Sequence, residues 1–166
     1  MFTLATYTAV HVLISLVGIG SGLVMLAGLI SGKRLEQVTQ VFLSTTVLTS
    51  LTGYGFPFTH VLPSHIVGAL SLVMLAGAIF ARYGKRMSGG WRLTYVVTAM
   101  MALYFNVFVL VVQSFQKVPA LRNLAPTQSE PPFAAAQAAV LVLFVALTIV
   151  AARRFHPEKK LARAGV

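Results

Sequence analysis

The sequence predicts an all-α integral membrane bundle of five transmembrane helices in one domain. Three observations carry this. Of the 166 residues, 57% are hydrophobic and only 10% charged, far too little charge to cover a water-soluble domain of this size. Apolar segments near the ~20 residues a bilayer core requires recur along the chain. The basic residues also fall almost entirely on one side of a five-span arrangement.

The first segment, at about 5–31, has no base before it and is too long for a secretory h-region, so it reads as a membrane helix rather than a removed signal peptide. "GKRLE" at 32–36 ends it. The second, at about 37–56, contains "STTVLTSLTGYG" and is the most polar of the five. Serine and threonine can return their hydroxyls to helix carbonyls, so lipid still permits it. "PFTHVLP" at 57–63 leads to the third segment, at about 63–83, and "YGKRMSGGWR" at 83–92 to the fourth, at about 92–116. The polar connection "KVPALRNLAPTQSEPP" at 117–132 precedes the fifth, at about 133–152. The transmembrane domain thus occupies 1–155, and 156–166 form a basic tail.

Lys33, Arg34, Arg82, Lys85, Arg86, Arg92, Arg153, Arg154, Lys159, Lys160 and Arg163 share one side; only Lys117 and Arg122 take the other. Cytoplasmic flanks carry the lysine and arginine excess, which puts the amino terminus outside and the carboxyl terminus inside. Removing the second span would scatter these charges over both faces. The net charge of +10 therefore points to anionic lipid at the inner surface and not to nucleic acid.

A phrase is stated twice. "HVLISLVGIGSGLVMLAG" at 11–28 returns as "HVLPSHIVGALSLVMLAG" at 60–77, with ten of eighteen positions identical. Both copies run from outside to inside, and each leads to a "GKR" stop, at 32–34 and 84–86. A duplicated two-helix hairpin plus one added helix accounts for this, as a parallel repeat about an axis along the membrane normal. It would superpose the first and third spans with His11 on His60 and Gly28 on Gly77. His11, Ser15, Gly18 and Gly22 line one face of the first span, and Ser64, Gly68 and Ser71 line a comparable strip on the third, as close helix packing requires.

Interior polar groups gather in the outer half. His11 lies in the outer part of the first span, and His60 and His65 lie at the outer entrance of the third. Asn106 and Gln113 are seven residues apart on one face of the fourth, which Gln116 and Lys117 carry outward. Polar side chains within a span turn to the bundle interior or a wet cavity, so an outward-facing polar pocket is expected among the first, third and fourth spans.

Histidines on different helices at similar depth are also the axial ligands of membrane b-type haem, with His11 and His65 the better pair, His60 the poorer, and Lys117 or Arg122 available to the propionates. A zinc or copper site is not expected. His60 and His65 straddle Pro63, and the chain has no cysteine or aspartate to complete a shell. No carboxylate lies within a span, and there is no Ser–His–acid set, phosphate loop or HExxH, so no catalytic residue is assigned.

"LYFNVFVLVVQSFQKVPAL" followed by "LAPTQSEPPF" resembles a group of small, poorly characterised bacterial multi-pass inner-membrane proteins. The resemblance covers about a quarter of the chain and implies a bacterial inner membrane but no activity. Two functions remain open, with a transporter ranked behind both. One is a non-catalytic binding or accessory protein whose pocket takes a lipid, a quinone or a partner helix. The other is a b-type haem protein in electron transfer.

Overall fold

Residues 3–57 and 63–156 are described by the computed structural model, and every regular element among them is helical. These are α1 (Leu4–Ile30), α2 (Glu36–Gly53), α3 (Pro63–Ile79), α4 (Trp91–Lys117), α5 (Pro119–Leu124) and α6 (Pro131–Arg154), with a π-turn at Phe80–Gly84 continuing α3. The spans anticipated from sequence lie within three residues of these bounds, once the π-turn is counted with α3. The short helix α5 was not anticipated: Pro119 fixes its first turn within the 117–132 connection.

Four helices are long and apolar enough to cross a membrane: α1, α3 with its π-turn, α4 and α6. α2 is shorter and richer in hydroxyls. Those hydroxyls are bonded back along the helix: Ser44 donates to the Gln40 carbonyl at 2.7 Å, Thr45 to Val41 at 2.6 Å and Thr52 to Leu48 at 2.7 Å. An i−4 back-bond of this kind satisfies a hydroxyl without help from water.

Contacts along the helices fix their directions. His11 meets Thr52 near one end of the α1–α2 pair, Gly22 approaches Phe42 in the middle, and Gly28 packs on Leu35 near the other end. These two helices are therefore antiparallel. α3 also runs antiparallel to α2, through Ser71 with Ser50 and Arg82 with Glu36, so α1 and α3 run in the same direction. α4 is the centre of the core: Tyr95, Val96, Ala99, Met100, Ala102 and Leu103 are all buried against α1, α3 and α6. α6 buries only Phe144 and Ala151 and leaves Leu141, Val142, Leu143 and Val145 exposed, an apolar surface suited to hydrocarbon. At its end, Arg92 donates to the carbonyls of Ala152 and Phe155 at 2.8 and 2.7 Å, bonding carbonyls that the helix terminus leaves open.

This topology collects Lys33, Arg34, Arg82, Lys85, Arg86, Arg92, Arg153 and Arg154 at one end of the bundle, while His11, His65 and Lys117 belong to the other.

The two LVMLAG runs share a direction but not a depth. Gly28 lies at the α1–α2 turn, where an added Cβ would meet Leu35 at 2.8 Å; Gly77 faces Thr98, seven residues into α4. Part of the reason is visible in the chain, since three more residues separate Gly77 from Gly84 than separate Gly28 from Gly32. The two stops also differ in backbone. After α1, Gly32 adopts φ 65°, and the Lys33 amide reaches the Gly28 carbonyl at 2.8 Å, closing a Schellman turn. After α3, the Lys85 amide reaches back five residues to Phe80 at 2.9 Å, in the π-turn.

A candidate binding cavity at the histidine end

Backbone glycines and small side chains on α1, α2 and α3 leave an opening of about 500 Å³ at the histidine end of the bundle, within the usual range of small-molecule sites. His11, Ser15 and Ile19 of α1 contribute to its wall, as do His65 and Ser71 of α3, and Asn106, Gln113 and Lys117 of α4. The periodicity of α1 and α4 brings these groups to one place. α2 was not expected in the pocket, yet Thr49, Ser50 and Gly53 complete the wall. Nothing in the spacing of its hydroxyls marks the face turned to the cavity.

Gln116 does not line the cavity: it is exposed, with its amide nitrogen 3.5 Å from Gln128 Oε1, because it is turned about 100° around the helix from Lys117, which does line it. His60 lies outside the described residues.

His11 is held in a defined way. Its Nδ1 lies 2.8 Å from Thr52 Oγ1, and the Thr52 hydroxyl is itself 2.7 Å from the Leu48 carbonyl. A hydroxyl has one hydrogen. With that hydrogen donated to Leu48, Thr52 Oγ1 accepts from His11 Nδ1–H. In neutral His11 the Nε2 is then the acceptor, and it has no partner among the described residues. The imidazole also meets the Phe56 ring edge-on, with centroids 5.1 Å apart. Tyr7 reinforces the same junction, its hydroxyl donating to the Thr52 carbonyl at 2.7 Å.

His65 stacks on Tyr54 at 5.4 Å, and the Tyr54 hydroxyl donates to the His65 carbonyl at 2.6 Å. Deeper in, Asn106 Nδ2 donates to the buried Thr46 Oγ1 at 3.1 Å. Gln113 has no hydrogen-bond partner, and Lys117 no carboxylate partner, among the described residues. The Thr49 hydroxyl oxygen is buried and likewise unpartnered. The cavity is thus an apolar space carrying several hydrogen-bonding groups that the protein leaves unused.

The described residues contain no group of three or more histidine, cysteine or acidic side chains able to hold a metal ion. Of the acids, Glu36 pairs with Arg82 at the basic end, and Glu130 is bonded within its own loop; neither lines the cavity. Compared with protein-family models, curated proteins and solved structures, the chain matches none.

Proposed function

We propose that this is a non-catalytic binding or accessory protein of a bacterial inner membrane, whose outward-facing cavity takes a small amphiphile such as a lipid or quinone. One observation carries the reading: an apolar space of about 500 Å³ has His11, Gln113 and Lys117 on its wall with hydrogen-bonding capacity unspent. His11 and Gln113 are half-buried and Lys117 exposed, so a ligand seated in the cavity would shield these groups from water and must complete their hydrogen bonds to bind well. A partner helix would bury its own backbone bonds and use fewer of these groups.

The proposal has five crossings, with α2 as the additional one. At ~1.5 Å per residue its 18 residues extend about 27 Å, close to the hydrocarbon thickness. Segregation of the bases supports a cytoplasmic carboxyl terminus. The twice-stated phrase is read as a duplicated hairpin whose second copy gained residues before its stop. The common direction of α1 and α3 supports this, whereas the unequal depth of the two LVMLAG runs, of which the three added residues account for part, counts against it and sets aside the superposition of Gly28 on Gly77.

A b-type haem reading rests on the same wall, since His11 and His65 approach the cavity from two helices and His11 Nε2 has the free acceptor that iron ligation uses. An absorption spectrum and native mass spectrometry of detergent-purified protein separate the two. The amphiphile reading expects no Soret band, and a co-purifying small lipophile that is lost when the cavity is filled by Leu16→Trp. A Soret band abolished by His11→Ala and by His65→Ala would replace it with the haem reading.

A further inference from the structure

Resting on the cavity reading, we infer that the ligand is a neutral amphiphile with a hydroxyl-bearing ring, the quinol class, and that His11 selects it by accepting the ring hydroxyl's hydrogen. Assigning the Thr52 hydrogen to the Leu48 carbonyl, the back-bond that Ser44 and Thr45 also make on this helix, leaves Thr52 Oγ1 to accept from His11 Nδ1–H. Neutral His11 therefore offers Nε2 as an acceptor and lacks a second N–H. A ligand with only acceptors at its head, such as a quinone or an ether, has nothing to donate there. A quinol does.

The rest of the wall suits the same head. Gln113 offers both an amide donor and a carbonyl acceptor from α4, so it serves the far oxygen of a two-hydroxyl ring in either sense. Phe56, edge-on to His11, and Phe105 supply aromatic wall. Gly53 presents backbone without a side chain, and a Cβ there would come within 3.9 Å of His11 Cε1, whereas the open position of Gly68 is covered by the Tyr54 ring. A flat ring needs surfaces of this kind. The apolar residues Leu16, Ile19 and Val109 receive the alkyl substituent.

The test is equilibrium binding of four probes to the full chain in detergent: decylhydroquinone, its bis-O-methyl ether, decylbenzoquinone and 1-decanol. Decylhydroquinone should bind about fivefold or more tighter than the ether and the quinone, the worth of one net hydrogen bond. That preference should vanish in His11→Phe and persist in Gln116→Ala, a residue outside the cavity. Thr52→Val keeps the backbone carbonyl used by Tyr7 but releases the His11 ring, so it too should erode the preference; it decides the matter if His11→Phe does not fold. Equal binding of hydroquinone and ether, with Leu16→Trp abolishing both, overturns the hydroxyl selection and leaves the cavity reading standing. Decanol binding as tightly as the hydroquinone, with the same dependence on His11, overturns the ring assignment. Binding of every probe unchanged by Leu16→Trp overturns the cavity reading and this inference together.

Discussion

Arg82 Nη2 lies 2.6 Å from Glu36 Oε2 and ties the π-turn after α3 to the first turn of α2. The Arg82 side chain is 1% exposed and the Glu36 side chain 45%, so the pair is buried from one side only. The guanidinium also sits 5.0 Å from the Tyr95 ring centre, which supplies a second favourable contact to the buried cation. The clamp belongs to the basic end, away from the cavity, so stability and binding should respond to it separately.

Glu36→Gln leaves a buried guanidinium with a neutral partner. A charge-assisted bond of this kind contributes about 1.5–3 kcal/mol, and the exposure of Glu36 favours the lower part of that range. Thermal unfolding in detergent should show the loss, while probe affinity at the cavity stays within twofold. An unchanged melting temperature would mean that solvent already supports Arg82.

Gly22 is required by its neighbours in a way that Gly20 is not. A Cβ at Gly22 would stand 2.5 Å from Leu103 Cδ1 and 2.9 Å from Phe42 Cδ2, both on fully buried residues; at Gly20 it would meet nothing within 4 Å. Overpacking a filled core costs about 1–3 kcal/mol, whereas alanine in place of an unhindered helical glycine gains up to ~1 kcal/mol. Gly22→Ala should lower the unfolding temperature and Gly20→Ala should hold or raise it. Equal shifts for the two would show that the α1–α2–α4 contact is looser than these distances require.

Much of this arrangement was legible in the chain, and the part that was not has a common cause. Asn106 and Gln113, seven residues apart, had to share a face, and polar side chains at that depth turn inward, so their meeting with His11 and His65 followed from periodicity. Lys117, four residues beyond Gln113, keeps to that face, and its neighbour Gln116, turned about 100° away, does not. The sequence places Arg82 only among the bases that share one side. The π-turn and the extra residues before "GKR" bring it against Glu36 and Tyr95. Thr49 and Ser50 were missed for a related reason, since composition shows that α2 is polar but not which neighbour its polar face meets. Contacts between helices depend on register, and one sequence states no register.

Orientation is open to direct measurement. A reporter fused at Val166 should report cytoplasm and one inserted at Asn123 should report periplasm, because α4 and α6 join antiparallel through the connection that holds Asn123. A periplasmic signal from Val166 would invert the assignment and turn the cavity mouth to the cytoplasm.

The connection before α6 is braced by Glu130. Glu130 accepts from the Thr127 hydroxyl at 2.8 Å and from the Thr127 and Ser129 amides at 3.1 Å each. Desolvation acts upward on this carboxyl, but those hydrogen bonds outweigh it and hold it below its ordinary value of 4.5. A depressed carboxylate contributes stability that is present above its unfolded pKa and lost as pH falls through the folded one. The Thr127 and Ser129 amide resonances should therefore titrate together with a midpoint under 4.5, and Glu130→Gln should remove the transition. A midpoint at or above 4.5 would show that the hydrogen bonds do not favour the ionised form.

Asn106 and Thr46 provide the most discriminating measurement at the cavity's inner end. Asn106 Nδ2 donates to Thr46 Oγ1 at 3.1 Å, and Thr46 is wholly buried, so the amide and hydroxyl depend on each other. Asn106→Leu alone strands the Thr46 hydroxyl, and Thr46→Val alone strands the amide nitrogen. Making both changes replaces the polar pair by apolar groups of similar shape, which is close to neutral when the surroundings are apolar. Each single variant should lose about 1–2 kcal/mol, the double variant less than the two losses added, and the coupling should fall at about 0.6–1.7 kcal/mol, as for hydrogen bonds between membrane helices. Additive losses would mean that water reaches both groups from the cavity. That would make the inner end of the space wet and leave only its apolar flank for a ligand's chain.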